Sequence, residues 1–116
     1  MKIAVINDNS KKIKMWSEIY TGKIETFSHP AYFFYRIEKS KGLKFDAVIL
    51  DRMYHEHDAL KDQTAKKIRS FLPNVKIFLS SALHSKNEYL PDFDAVIDQW
   101  PLDFSDLQKI MDRVRE

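Results

Sequence analysis

Four consecutive apolar residues, Ala47-Val48-Ile49-Leu50, are entered through Phe45-Asp46 and closed by Asp51. A strand with no polar alternation is buried on both faces, so it belongs in the middle of a parallel sheet with helices above and below. Asp51 then stands at the carboxyl edge of that sheet, where open α/β folds place their ligands. Ile3–Ile6 is a second unbroken run, and it ends in Asn7-Asp8-Asn9-Ser10. Ser10 is the expected N-cap of the helix that follows. In that helix Met15, Trp16, Ile19 and Tyr20 form a stripe expected to be buried, Lys11, Lys12 and Lys14 face water, and Gly22 ends it.

Ile24–Phe27 has the pattern of a short edge strand. His29-Pro30 opens the next helix with proline at a favoured early position. That helix carries Tyr32, Phe33, Phe34, Tyr35 and Ile37. Four adjacent aromatics cannot all face one core, so one or two are expected at the surface, more simply as irregular packing than as an interface. The loop of residues 52–58 leads to a helix expected over residues 59–72, burying Leu60, Ala65, Ile68 and Leu72 and stopped by Pro73. Residues 75–79 form the fourth strand, ending in Ser80-Ser81. Residues 82–93 are weakly periodic and hold at most one or two helical turns. Ala95–Ile97 is the fifth strand, and Leu107, Ile110, Met111 and Val114 mark a last helix capped by Ser105 or Asp103. This alternation predicts an α/β three-layer sandwich with a parallel sheet. Its expected strand order is the flavodoxin-like 2-1-3-4-5, with a shortened fourth helix. The ends of strands one and three then lie side by side, which brings Asp8 next to Asp51.

Composition narrows the function classes. The 116 residues suffice for one domain, expected over 1–116, with a modest core. A net charge of +2 without blocks of like charge gives nucleic-acid binding little support. With no cysteine there is no disulfide frame and no thiolate site. No apolar run approaches the roughly 20 residues needed to span a bilayer, and the first residues are too short for a signal peptide, so a cytoplasmic protein is expected. Gly22 and Gly42 are the only glycines, which removes a phosphate-cradling loop.

Two carboxylates side by side at a sheet edge repel each other unless a hard divalent cation lies between them. Mg²⁺ suits such a site, because it takes a few carboxylate and carbonyl oxygens and keeps its waters. A carboxylate so placed can attack a phosphoryl group and form an acyl phosphate, and the Ser80 hydroxyl at the end of the next strand can donate to it. Alternatively, Asp8 and Asp51 only cap the helices after them. His55, His57 and Asp58 form a His-x-His-Asp run that could take a transition metal, although loop histidines are more often simply solvated. Lys61, Lys66, Lys67 and Arg69 have the spacing of a wet helix face.

Taken together, these positions resemble the CheY-like receiver domain of two-component response regulators, over essentially the whole chain. Residues 2–8 resemble the family's first strand with its acidic end. Residues 45–51 resemble its third strand with the phosphoacceptor aspartate, Leu79-Ser80-Ser81 the end of its fourth strand, and Trp100-Pro101-Leu102-Asp103 its Lys-Pro-Phe-Asp. The resemblance implies Asp51 as phosphoacceptor. It implies Asp8, Asp51 and the Met53 backbone carbonyl as Mg²⁺ ligands, and Ser80 as the hydroxyl that follows the phosphoryl group.

The departures matter as much. The family's acidic pair is Asn7-Asp8 here, so one charge is lost and Mg²⁺ is expected to bind weakly. Trp100 stands for the lysine, or Gln99 if the register slips by one, and neither supplies a cation. Ile97 stands for the switch aromatic, and His55 and Glu56 replace the usual proline and glycine. The resemblance therefore implies an atypical receiver with a degenerate switch, working by contact with a protein partner: a sensor kinase or a downstream signalling protein. The alternative is a phosphorylation-independent pseudo-receiver that binds a protein or forms a homodimer. A hydrolase built on Asp8 and Asp51 lacks a second catalytic acid near Asp51, so no enzyme is expected.

Overall fold

In a computed structural model of the chain, residues 2–19, 24–40, 43–54, 57–80, 90–97, 109 and 112 are described, without the side chains of Lys12, Trp16, Ile19, Met53, Tyr54 and His57. The elements run β1 (Ile3–Ile6), α1 (Ser10–Ile19), β2 (Ile24–Phe27), α2 (Pro30–Lys39) and β3 (Ala47–Asp51). They continue with β4 (Met53–Tyr54), β5 (His57–Asp58), α3 (Thr64–Phe71), β6 (Lys76–Ser80) and β7 (Ala95–Ile97). Lys109 and Asp112 are helical and exposed.

The main sheet has the order β2-β1-β3-β6-β7, and every neighbouring pair is parallel. With the small β4–β5 hairpin left uncounted, this is the expected 2-1-3-4-5. The unbroken apolar runs give it, because only strands covered on both faces can bury every side chain. On one face Ala4, Ile6, Val48, Leu50 and Ile77 join a cluster with Phe33 of α2 and Ala65 and Ile68 of α3. On the other face Ile3, Val5, Ile49 and Phe78 are also buried. Each fully buried Ile, Leu or Phe contributes about 1.5–3 kcal/mol by leaving water. Phe33 meets Phe27 edge-on at 5.4 Å and Phe45 at 5.7 Å between ring centroids, which seats α2 over the β2–β1–β3 side.

Helix α2 begins as expected. His29 is its N-cap and accepts the Ala31 N–H through Nδ1 at 3.0 Å, with Pro30 as the first helical residue. Tyr32 and Tyr35 are exposed while Phe33 is buried, so the four aromatics divide as the pattern required.

Three local expectations fail. Helix α1 starts at Ser10, so the cap is Asn9, whose carbonyl accepts the Ile13 N–H at 3.0 Å. Met15, expected in the buried stripe, is 42% exposed, while Ile13 is half-buried. The third helix starts at Thr64 rather than at residue 59. The Asp58 carboxylate accepts the Leu60 N–H at 3.0 Å and fixes a turn there. Gln63 then takes a left-handed conformation, φ 54, that no helix can continue through. The loop of residues 52–58 holds the β4–β5 hairpin, which strands of two residues are too short to announce by period. Gly22, Ser81, the shortened fourth helix, Trp100 with Pro101, and the stripe of the last helix lie outside the described residues. So do the side chains of Trp16, Ile19 and Tyr20.

Candidate functional site

The parallel register decides what surrounds Asp51. Asp51 pairs with Ser80, and Ser80 pairs in turn with Ile97. On the other side β1 and β3 pair as far as Ile6 and Leu50, so the next position on β1, Asn7, continues the row beside Asp51. Residues in register share one side of a sheet. The carboxyl edge therefore carries Asn7, Asp51, Ser80 and Ile97 in one row, with Asp8 in the bend directly after Asn7. Asp8, Asp51 and Ser80 are half-buried.

Asn7 is buried, and its Oδ1 accepts the Asn9 N–H at 2.8 Å, while its own N–H donates to the Phe27 carbonyl at 2.9 Å. It thus anchors the loop that carries Asp8. Asparagine and aspartate make this turn equally well. Only asparagine does so without placing a third carboxylate beside Asp8 and Asp51. The amide holds the loop and adds no repulsion.

Ile97 is buried at 4% exposure directly across from Ser80. An apolar side chain closes that place where the resemblance expects a switch aromatic. Trp100, Gln99, His55 and Glu56 lie outside the described residues, as does the side chain of His57.

After Asp51 the chain is held tightly. The Arg52 N–H donates to the Ser80 carbonyl at 3.1 Å, and the Arg52 carbonyl accepts from the Ala59 N–H at 2.7 Å. The Arg52 guanidinium pairs with Asp58 at 3.5 Å. Burial works to raise the Asp58 carboxyl. The Leu60 N–H and the Arg52 guanidinium outweigh it, so the group lies below the usual carboxylate range. This clamp was not evident in advance. Its signal was the pair of opposite charges bracketing the loop of residues 53–57.

The hairpin bears on the third oxygen donor. Met53 faces Asp58 in the β4–β5 register, and the bond from Ala59 to Arg52 brackets that pair from outside. Met53 and Asp58 are therefore a non-hydrogen-bonded pair, whose carbonyls point away from the partner strand. The Met53 carbonyl is turned out of the ladder rather than used by it. Among the described residues no three His, Asp or Glu side chains cluster as metal ligands. A cation here would rest on two carboxylates and a backbone carbonyl, an all-oxygen set that suits Mg²⁺ and not a soft metal.

No protein-family model matches the sequence, and no curated protein does. Solved structures do. The chain is similar at 21% identity and TM-score 0.72 to a crystal structure of the histidine kinase ThkA in complex with the response regulator TrrA, covering 100% of both chains. It is similar at 21% identity and TM-score 0.70 to TrrA from Thermotoga maritima in complex with Mg²⁺ and a beryllium fluoride, covering 98% of this chain and 99% of that one. An adenylate cyclase from Rhodopirellula baltica matches at 15% identity and TM-score 0.70, over 97% of this chain and 85% of that one. Likeness at such identities speaks for architecture and not for output. Among the described residues no helix is long and apolar enough to cross a membrane. In strand order, element sequence and coverage, this chain has the fold of a response-regulator receiver domain.

Proposed function

We propose that the chain, as one domain over residues 1–116, is an atypical receiver in two-component-type intracellular signalling, with Asp51 as its phosphoacceptor. The observation that carries this reading is the row Asn7, Asp51, Ser80 at the carboxyl edge, with Asp8 beside it. An Asp51 carboxylate oxygen attacks the phosphorus of a donor such as acetyl phosphate, the bond from phosphorus to the acetate oxygen breaks, and acetate leaves. Asp51 then carries the phosphoryl group as an acyl phosphate. Asp8, Asp51 and the Met53 carbonyl would hold Mg²⁺, which when bound neutralises charge on the phosphoryl oxygens. The Ser80 hydroxyl, one strand over, donates to one of those oxygens. The partner is a protein: a sensor kinase on the input side or a signalling protein on the output side. A crystal structure of the similar TrrA with the kinase ThkA is consistent with that.

A second reading is favoured by Ile97. Its burial across from Ser80 supplies no side chain that could swing with the hydroxyl, and Trp100 offers an indole N–H in place of an ammonium. Phosphorylation would then change the structure little, and the domain would bind its partner, or a second copy of itself, constitutively. Incubation with acetyl phosphate and Mg²⁺ followed by intact mass measurement separates the readings. A phosphoryl adduct that maps to Asp51 and is absent from Asp51→Asn is the expected result. No adduct leaves the binding module, and steady release of inorganic phosphate would make the protein an enzyme.

A further inference from the structure

The outer face of the α2–α3 layer carries aromatic side chains that the core does not use. Tyr32 and Tyr35 stand three residues apart on α2, so they share one face of the helix, and they are 62% and 61% exposed. Phe71 of α3 is 41% exposed, and its ring meets Phe34 of α2 at 5.5 Å, so an aromatic pair joins the two helices at the surface. Beside this pair lies a groove of about 200 Å³, lined by Pro30, Ala31, Phe34, Asp62, Thr64 and Lys67. Exposed apolar surface rimmed by polar residues marks interaction sites where it is contiguous.

The charges around these rings indicate what covers them. Lys67 Nζ lies over the Phe34 ring at 4.6 Å and Lys39 Nζ over the Tyr35 ring at 5.4 Å. Lys61, Asp62 and Lys66 are exposed along and just before α3, and Glu38 is exposed on α2. Each ammonium keeps its donors toward solvent while its stem covers aromatic surface. This spacing of apolar anchors within a lysine rim suits a helix that alternates apolar and carboxylate side chains. It suits nucleic acid less well. Acids, Asp62 and Glu38, stand among the lysines, and the whole chain carries only +2.

We propose that the α2–α3 face docks an acidic amphipathic helix of a partner protein. The helix sets apolar side chains on Phe34, Tyr35 and Phe71 and carboxylates on Lys39, Lys66 and Lys67. This surface does not depend on phosphorylation of Asp51, and it holds under either reading above.

The test uses the full chain, labelled with ¹⁵N, and a synthetic peptide of about 14 residues with leucine at helical i, i+3, i+4 spacing and glutamate between. The expected result is saturable amide shifts over residues 30–39 and 64–71. Binding should weaken by about tenfold in Tyr35→Ala and in the double variant Lys66→Glu, Lys67→Glu. The double variant should in turn bind the same peptide with lysine in place of glutamate, which a merely misfolded protein would not do. Shifts centred on Asp8 and Ser80, or no shifts, would overturn the proposal. So would tighter binding of an oligothymidylate, or concentration-dependent shifts at these amides without peptide, which would assign the face to nucleic acid or to a second copy.

Discussion

At the amino edge of the sheet, Asp94 accepts the Arg69 guanidinium at 3.2 Å and the Ile77 N–H at 2.8 Å, and Asp46 accepts the Lys2 N–H at 2.7 Å. At the carboxyl edge, Asp51 stands in register with Ser80, beside Asn7, and Ile97 follows one strand further. The acids of the first edge are tied to cations and backbone donors, and they hold strand ends to helices. The neighbours of Asp51 along its row are an amide, a hydroxyl and an apolar side chain. A carboxylate locked to an arginine gains nothing by changing its charge. One with an amide and a hydroxyl on either side in its row, and Asp8 beside it, is placed to accept a cation or a phosphoryl group at the sheet edge. The same residue type thus serves as a fastener at one end of the sheet and as a candidate reaction centre at the other.

That contrast is most exposed to test at Arg69, which donates to the carbonyls of Val75 and Asp92 as well as to Asp94. Arg69→Ala should lower unfolding stability by about 1–3 kcal/mol in urea titration, because three partly buried acceptors lose their donor. An unchanged midpoint would remove the fastener role.

Next in size is Asn7→Asp. It adds a carboxylate beside Asp8 and Asp51, and should tighten Mg²⁺ by about tenfold in calorimetry while lowering the melting temperature of the metal-free protein. Tighter binding without the thermal cost would mean that the row is less crowded than the register indicates.

Asp51→Asn should leave the metal-free melting temperature unchanged or raise it, within about 1 kcal/mol, because it relieves like-charge repulsion. A clear drop would make Asp51 a fastener like Asp94 and erase the distinction between the two edges.

The smallest effect belongs to Glu25, which ties Lys2 at 3.4 Å and Arg36 at 2.8 Å across the edge strand. Burial acts to raise its carboxyl, but the hydrogen bonds from Arg36 and Lys2 win and hold it below the ordinary value. A lowered carboxylate contributes stability that is present above the usual carboxylate range and lost as pH falls through the lowered value. Wild type should therefore lose slightly more stability than Glu25→Gln on acidification below that range. The difference should be under about 1 kcal/mol, because the pair is partly solvated. Acid titrations of the two proteins check this, and superimposable curves would remove the linkage.

Much of this was legible in the chain, and for a common reason. Ile3–Ile6 and Ala47–Asp51 are unbroken apolar runs, and burial on both faces leaves them one kind of place, so strand order and the position of Asp51 followed. His29-Pro30 marked α2 because proline costs nothing where an N–H has no helical partner. What was missed depended on geometry that no period records. The start of α3 moved to Thr64 through one left-handed residue, Gln63, and one carboxylate turn at Asp58. Met15 was placed inside by spacing, but the helix begins at Ser10 and turns Ile13 inward instead. Asn7 was legible as a lost charge and not as the anchor of its loop, because an Asx turn shows only once the backbone is placed. The Arg52–Asp58 clamp needed the hairpin between them to close.

The most direct measurement is an amide spectrum of the ¹⁵N-labelled chain with Mg²⁺ and a beryllofluoride mimic of the phosphoryl group. A ligand moves an equilibrium only through a difference in its interactions with the two states. Ile97 and Trp100 offer little such difference. Shifts should therefore appear at Asp8, Asp51, Met53 and Ser80 and fade within β6, leaving β7 and the last helix unmoved. Large saturable shifts reaching Ile97 and the region of Lys109 would show a working switch without the lysine, and silence at Asp51 itself would remove the phosphoacceptor.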